Sequence, residues 1–362
     1  MGFESVRIYQ YRNLIDCDVS VDAPEVFLIG ENGQGKTNFL ESIYLLCIGS
    51  SFRTRFDEDL VRHGETDMSL VGTTRRRSDI TEATVAIKIQ KKQKTIHIDG
   101  KKISDRKALI EKLPCIVFCH EDIDFVSGVP ERRRWFFNQT MSLNTPIFVD
   151  TIRRYKKIVR MRNRAIRDSK LELLPVLDQQ TAATGMEIQR RRDCTVDEFN
   201  ETFSELFGFV SGVDEAVKIR YAPSWKECTT IDKALGLIEK HRERDIAMQT
   251  STSGPHRDRF SFRCGGRDFS RTASTGQLRL LSLVLRVAQA VYFTAKSSRR
   301  PILLLDDVLL ELDPEKRRKF VSVLPEYEQA YFTFLPDERY DRYQKDKTLL
   351  YSVDCGRIEK RS

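Results

Sequence analysis

Apolar residues along this chain follow three patterns, and their succession predicts an α/β protein. Unbroken apolar runs at Phe27–Ile29, Cys115–Cys119, Ile302–Leu305 and Ala330–Leu335 read as buried strands covered on both faces. From Ser69 to Ile103 the pattern alternates. Val85, Ile87 and Ile89 stand against Ala86, Lys88 and Gln90, and Ile96 and Ile98 flank His97. That period predicts two or three antiparallel strands with a hairpin turn at Asp99-Gly100. Val6–Tyr9 and Leu14–Val21 read as two more short strands around Tyr11-Arg12-Asn13, expected at the sheet edge leading into residue 30. Helical spacing begins at Phe39, Leu40, Ile43, Tyr44 and Leu45. It returns over Phe148–Ser169, from about Val176 to Phe207, over Ile231–Met248 and over Leu278–Tyr292. Val217–Tyr221 and Phe260–Phe262 are strands between these helices, and Gly128–Trp135 opens a further helix.

The junction between the first apolar run and the first helix carries chemistry. Gly30-Glu31-Asn32-Gly33-Gln34-Gly35-Lys36-Thr37-Asn38 contains G-x-x-x-x-G-K-[ST] between a strand and a helix, the context a phosphate-binding loop requires. The glycines let successive backbone N–H groups face an anion, and the helix start adds its dipole. Lys36 would reach the β- and γ-phosphates of ATP, and the Thr37 hydroxyl would ligate Mg²⁺. Ile302-Leu-Leu-Leu-Asp-Asp307 describes a central parallel strand delivering two carboxylates at its end. Asp306 is the expected Mg²⁺ partner of Thr37 through water, and Asp307 would orient or deprotonate the attacking water, so Lys36, Asp306 and Asp307 form the catalytic set. Ser274-Thr-Gly-Gln277 precedes an apolar helix, a second phosphate-binding geometry involving Ser274, Gly276 and Gln277. Ser50–Phe56 is polar and basic, and either reaches the nucleotide or simply connects elements. No N-K-x-D base-reading motif of a GTPase is found.

Composition adds three constraints. With 362 residues, 40% hydrophobic, the chain can hold about two domains with a sizeable core. The net charge of +8 favours a polyanionic partner. No apolar run long enough to span a bilayer and no signal-peptide core is seen, so a cytoplasmic location is expected. The eight cysteines form no C-x-x-C pair. Cys115, Cys119 and His120 lack a second ligand cluster, so buried thiols are favoured over a metal site.

Positive charge concentrates in one place. Between Thr151 and Arg167 there are eight basic residues and no acidic one: Arg153, Arg154, Lys156, Lys157, Arg160, Arg162, Arg164 and Arg167. Such runs are usually solvated faces, but the missing acids leave phosphate contact equally open. The lysines of the alternating segment, Lys88, Lys91, Lys92, Lys94, Lys101 and Lys102, fit a solvated edge or a DNA contact. The helices around 148–207 read as an antiparallel arm inserted into a nucleotide domain. Three parts are expected: 1–120 with the phosphate loop and an antiparallel β subdomain, 121–250 with the arm, and 251–362 with the remaining ATPase motifs.

A phosphate loop, an S-x-G-Q at a helix start and an hhhhDD strand together resemble the ABC-type ATPases. In that superfamily the S-x-G-Q of one subunit caps the γ-phosphate held by another. A transporter subunit would bring S-x-G-Q about a hundred residues after the loop, and an SMC protein would fill the gap with a long coiled coil. The intermediate size is similar to the RecF family of bacterial recombination and repair proteins. The likeness rests on Gly30–Asn38, Ser51-Phe-Arg-Thr54, Glu131-Arg-Arg-Arg134, Ser253-Gly-Pro-His-Arg-Asp258, Ser274–Gln277 and Leu304–Asp313. Departures are Asn138 and Arg259 where Asp is usual, and Thr333 in place of a switch histidine. The usual Mg²⁺-binding glutamine has no counterpart that can be placed. The resemblance implies an ABC-type head, an ATP-dependent homodimer and slow ATP hydrolysis. It also implies binding to single-stranded, duplex or gapped DNA, partnership with RecR and RecO, indirect help to RecA and a role in the SOS response. Arg153, Arg154, Lys156, Lys157, Arg160 and Arg164 are the DNA-contact candidates. The competing reading is a nucleotide-sensing scaffold with little direct DNA contact.

Overall fold

The computed structural model describes residues 1–76, 79–213 and 215–361, with side chains for all of these except 76 and 79–82. The chain forms two compact units, Met1–His120 with Phe293–Ser362, and Glu121–Tyr292. The division expected near residue 250 falls inside the second unit, which therefore holds Ser253–Asp258 and Ser274–Gln277 as well as the arm. Strands are numbered along the chain.

The first unit has two six-stranded sheets. One is antiparallel: β1 (Gly2–Tyr9), β2 (Cys17–Ser20), β4 (Met68–Arg76), β5 (Asp79–Gln90), β6 (Gln93–Ile98) and β7 (Lys101–Ile103), in the order 2-1-4-5-6-7. The alternating segment thus supplies four strands where two or three were expected; its residues 77 and 78 lie outside the described residues. Asp99 and Gly100 both take positive φ, 51° and 76°, as the predicted two-residue turn demands. The second sheet contains β3 (Glu25–Ile29), β8 (Cys115–Phe118), β12 (Ile302–Leu305), β13 (Gln329–Phe334), β14 (Thr348–Asp354) and β15 (Arg357–Lys360), in the order 15-14-3-13-12-8. Its pairings are parallel except β14 with β15. Residues of β3, β8, β12 and β13 are buried without exception, which is why they read as unbroken apolar runs.

The helix Lys36–Ile48 lies in the core between these sheets. Phe39, Leu40, Ile43 and Leu46 share one cluster with Ile8, Leu70 and Ile87 of the antiparallel sheet and Val26, Leu28 and Tyr331 of the parallel one. A helix covered all round has apolar residues all round. The β1–β2 hairpin belongs to the antiparallel sheet, not to the edge of the phosphate-loop sheet as expected. Val6 pairs with Val19 on one side and Gly72 on the other. Sequence adjacency to β3 does not carry the sheet across that turn.

The second unit pairs the helix Phe148–Arg167 with the 38-residue helix Leu174–Ser211, and adds the sheet β11 (Arg267–Asp268), β10 (Arg259–Cys264), β9 (Val217–Ala222). Gly185 lets Trp225 lie against the long helix, since a Cβ there would stand 2.5 Å from the indole. The expected single helix Ile231–Met248 is two helices, Ile231–Lys240 and Arg242–Ala247, separated at His241. The helix Thr275–Ser297 starts in the second unit and ends in the first. Contrary to the expectation of no such run, it is long and apolar enough to span a membrane by length and composition, yet 72% of its most apolar window is buried within the protein.

Candidate functional site

Strand register brings the loop and the carboxylates together. In the first unit β13 lies between β3 and β12, with Thr333 opposite Leu28 and Phe332 opposite Leu305. All three strands end at the same edge. Gly30 therefore leaves β3 beside Phe334, whose carbonyl accepts the Gly30 N–H at 3.2 Å. Asp306 leaves β12 one position beyond Leu305, at the level of Thr333. The Thr37 hydroxyl donates to Asp306 Oδ1 at 2.9 Å across 269 residues of sequence. The Thr333 hydroxyl donates to Asp307 Oδ1 at 2.6 Å and accepts the Asp307 N–H at 2.7 Å. Asp307 has a φ of 52°, a left-handed backbone that few non-glycine residues adopt.

Lys36 is 3% exposed, and its ammonium donates to the carbonyls of Gly30 at 2.7 Å and Glu31 at 3.2 Å, with Asp307 Oδ2 at 3.9 Å. The helix it opens has Gly35 at the N-cap, with φ 120° and no side-chain cap. First-turn N–H groups left without a side-chain acceptor are a fit for a phosphate chain. A hard divalent cation fits the oxygen pair Thr37–Asp306 by donor chemistry.

Several contacts around the loop were not legible in sequence. Glu41, fully buried on the loop helix, accepts from the Tyr11 hydroxyl at 2.8 Å and from Arg12 Nε and Nη2 at 3.0 and 2.9 Å, and also from Ser51. Burial raises the Tyr11 phenol well above its ordinary range. Asn13 donates to the Gly33 carbonyl at 3.2 Å and accepts from Asn38 at 2.6 Å. Arg53 donates to Asn38 Oδ1 at 2.7 Å, so the Ser50–Phe56 segment lies against the loop helix rather than merely connecting elements. Glu338 follows β13; burial raises its carboxyl pKa, with Asp307 adding to the rise and Arg317 and Lys36 opposing it.

In the second unit Ser274, Thr275, Gly276 and Gln277 are all exposed. Ser274 and Gln277 form a reciprocal cap: the Ser274 N–H donates to Gln277 Oε1 at 2.8 Å, and the Gln277 N–H donates to Ser274 Oγ at 3.3 Å. Ser253–Asp258 is a clasp. Asp258 is fully buried, accepting from Arg192 Nη1 and the Ser224 N–H, each at 2.7 Å, and from the Tyr221 hydroxyl. His256 donates from Nε2 to the Ser251 carbonyl at 3.1 Å and accepts at Nδ1 from the Tyr155 hydroxyl at 2.8 Å. Burial lowers its pKa to about 4.

The basic run divides. Arg153, Arg154, Lys156, Lys157, Arg160 and Arg164 are exposed. Arg162 is not: its Nε donates to Asp178 at 2.6 Å and its Nη1 to Asp245 at 2.7 Å and Ser251 at 2.8 Å. For Arg162 the compensating acids arrive from distant positions, so this member of the run is interior rather than a solvated charge. Asp150 and Asp168 at the helix ends also pair with Arg153 and Arg164, at 3.6 and 3.3 Å.

Fold and loop together define a head domain of the ABC-type ATPases. The model of the RecF/RecN/SMC N-terminal domain matches residues 3–343. The DNA replication and repair protein RecF of Treponema pallidum is 42% identical over 96% of this chain and 97% of its own length. Its namesake in Staphylococcus aureus (strain JH9) is 28% identical over 99% and 100%. A solved structure of the recombination mediator protein RecF–ATP in the RecFOR pathway superposes with a TM-score of 0.89 over 99% of each chain, at 23% identity. The Smc head bound to the C-winged helix domain of ScpA gives 0.59 over 100% of this chain and 98% of its own, at 13% identity. Within the ABC-type class, this chain belongs to the RecF family.

Proposed function

We propose that this protein is an ATP-gated DNA-binding recombination mediator for repair and replication. The observation that supports this most directly is the joining of Lys36, the Thr37–Asp306 pair and the Thr333–Asp307 pair at one edge of one parallel sheet. ATP binds along Gly30–Asn38, its phosphates taken by backbone N–H groups and by Lys36, which exchanges the Gly30 and Glu31 carbonyls for β- and γ-phosphate oxygens. Thr37, and Asp306 through water, would hold Mg²⁺, which would supply charge neutralisation on the phosphates. Asp307 orients the attacking water and accepts its proton, with the Thr333 hydroxyl fixing the carboxylate. Aspartate is one methylene shorter than glutamate, which suits slow hydrolysis and a switch rather than a motor.

Ser274, Gly276 and Gln277 of a second copy close on the γ-phosphate, so that ATP joins two chains. Arg153, Arg154, Lys156, Lys157, Arg160 and Arg164 meet phosphates of single-stranded, duplex or gapped DNA in the closed dimer. RecR and RecO are the protein partners, RecA loading and the SOS response the downstream outcomes, and the cytoplasm the location.

Sedimentation with ATP, with ADP and without nucleotide tests the proposal. Dimers are expected with ATP alone, lost in Lys36→Ala, and lost in Ser274→Arg while ATP binding persists. Equal monomer fractions in all three conditions would overturn it. DNA binding that is absent even at low salt would instead favour a nucleotide-sensing scaffold.

A further inference from the structure

The phosphate loop is touched from outside by an element that its motif does not include. The β14–β15 hairpin turns at Cys355 and Gly356, with φ of 46° and 78°. The Cys355 N–H donates to Gln34 Oε1 at 2.6 Å, and the Gly356 N–H donates to the Gln34 carbonyl at 2.9 Å. The Gly356 carbonyl accepts the Ile15 N–H at 2.8 Å. Packing leaves no slack: a Cβ on Gly356 would stand 2.0 Å from the Asn13 carbonyl oxygen, and one on Gly30 would stand 2.2 Å from that of Val353. Asn13 in turn holds the Gly33 carbonyl and the Asn38 amide. The loop is thus bonded at Gln34 by the hairpin tip and at Gly33 by the turn that the same tip holds.

We infer that the Cys355–Gly356 turn is a positioning element for the nucleotide site, holding Gln34 and Asn13 so that the loop N–H groups converge before phosphate arrives. This rests on the phosphate-loop reading given above. A loop fixed in advance loses less conformational freedom on binding. Loosening the tip then weakens ATP affinity without removing any group that touches the phosphates.

Gly356→Ala and Gly100→Ala are the variants to compare. Both glycines sit at hairpin tips of the same unit with nearly equal φ, 78° and 76°, but a Cβ on Gly100 meets nothing within 4 Å. Backbone strain is therefore matched, and only the contact with the loop differs. Titration with a fluorescent ATP analogue is expected to show at least tenfold weaker binding for Gly356→Ala and less than a twofold change for Gly100→Ala. Hydrogen exchange without nucleotide is expected to rise over residues 11–15 and 30–38 in Gly356→Ala alone. If Gly356→Ala fails to fold, Gln34→Ala carries the test, since it removes the Cys355 acceptor and leaves the hairpin intact; the same exchange pattern is expected. Unchanged exchange over 30–38 together with unchanged affinity would overturn the inference. Lys36→Ala separates the two claims. If the wild type and Lys36→Ala bind the analogue equally, the phosphate-loop reading itself fails; if Lys36→Ala loses binding while Gly356→Ala matches the wild type in both affinity and exchange, the positioning role alone fails.

Discussion

Replacing Arg162 by alanine should destabilise the second unit, and the size follows from who is left behind. The guanidinium joins Asp178 and Asp245, and all three side chains are at most 2% exposed. Breaking such a pair by removing one partner typically costs about 3–5 kcal/mol, because a charge stays buried without its counterion. The two acids differ in what remains. Asp178 keeps Arg242 Nη2 at 2.7 Å. Asp245 keeps the Thr252 N–H and hydroxyl, at 2.8 and 2.6 Å. One orphaned carboxylate rather than two puts the expected loss near the lower bound, about 3 kcal/mol. Both tryptophans of the chain, Trp135 and Trp225, lie in this unit, so intrinsic fluorescence reports its unfolding. With a urea slope of about 2 kcal/mol/M, the midpoint should fall by about 1.5 M. Arg160→Ala, only two residues away in sequence, removes an exposed charge and should shift stability by less than about 0.5 kcal/mol. Adding Asp245→Asn to Arg162→Met should recover part of the loss. A midpoint for Arg162→Ala within about 0.3 M of the wild type would refute the reasoning.

Asp307→Asn should retain ATP binding and prolong the ATP-bound dimer while phosphate release falls by at least about a hundredfold, as expected for loss of a general base; unchanged release would remove Asp307 from that role. Thr333→Val removes the hydroxyl bonded to Asp307 and should lower the hydrolysis rate while leaving the ATP Kd nearly unchanged, which single-turnover and binding measurements separate. Each of Arg154, Lys157 and Arg160 replaced by alanine should reduce the salt slope of DNA binding by about 0.9 if it meets one phosphate, and an unchanged slope would place that residue off the DNA. His256, neutral in the fold with its pKa lowered to about 4, gives the second unit a pH dependence. Its stabilisation is complete above the unfolded histidine value near 6.5 and is lost as pH falls toward 4, by about 3 kcal/mol at most; His256→Gln should flatten that window in urea midpoints, and an equally steep profile would exclude the imidazole as its source.

The central sheet was legible because strands covered on both faces cannot hide their composition, and the glycine spacing after β3 marked the loop. β14 was not. Thr348–Asp354 mixes buried Tyr351 and Val353 with exposed and half-buried neighbours, so no period stands out, although it pairs directly with β3. The residues that meet at this edge, Lys36, Thr37, Asp306 and Asp307, could be picked out in sequence because phosphate and metal chemistry would call for those types. Glu41, Asn13 and Gln34's hairpin partners were not, because their roles depend on segments that meet only after folding. Arg162 shows the same limit: its counterions lie 16 and 83 residues away, so a run that reads as bare charge is partly interior.

The mutual cap of Ser274 and Gln277 has a consequence for timing. Each side chain already satisfies the other's amide, so an incoming anion must displace that internal bond before it can gain a new one. A lone chain meeting free phosphate has little to gain from the trade. In the proposed dimer, a triphosphate presented on a second surface, with its own contacts already made, would have to spring that catch, which would make the helix end a threshold detector rather than a scavenger of stray ions.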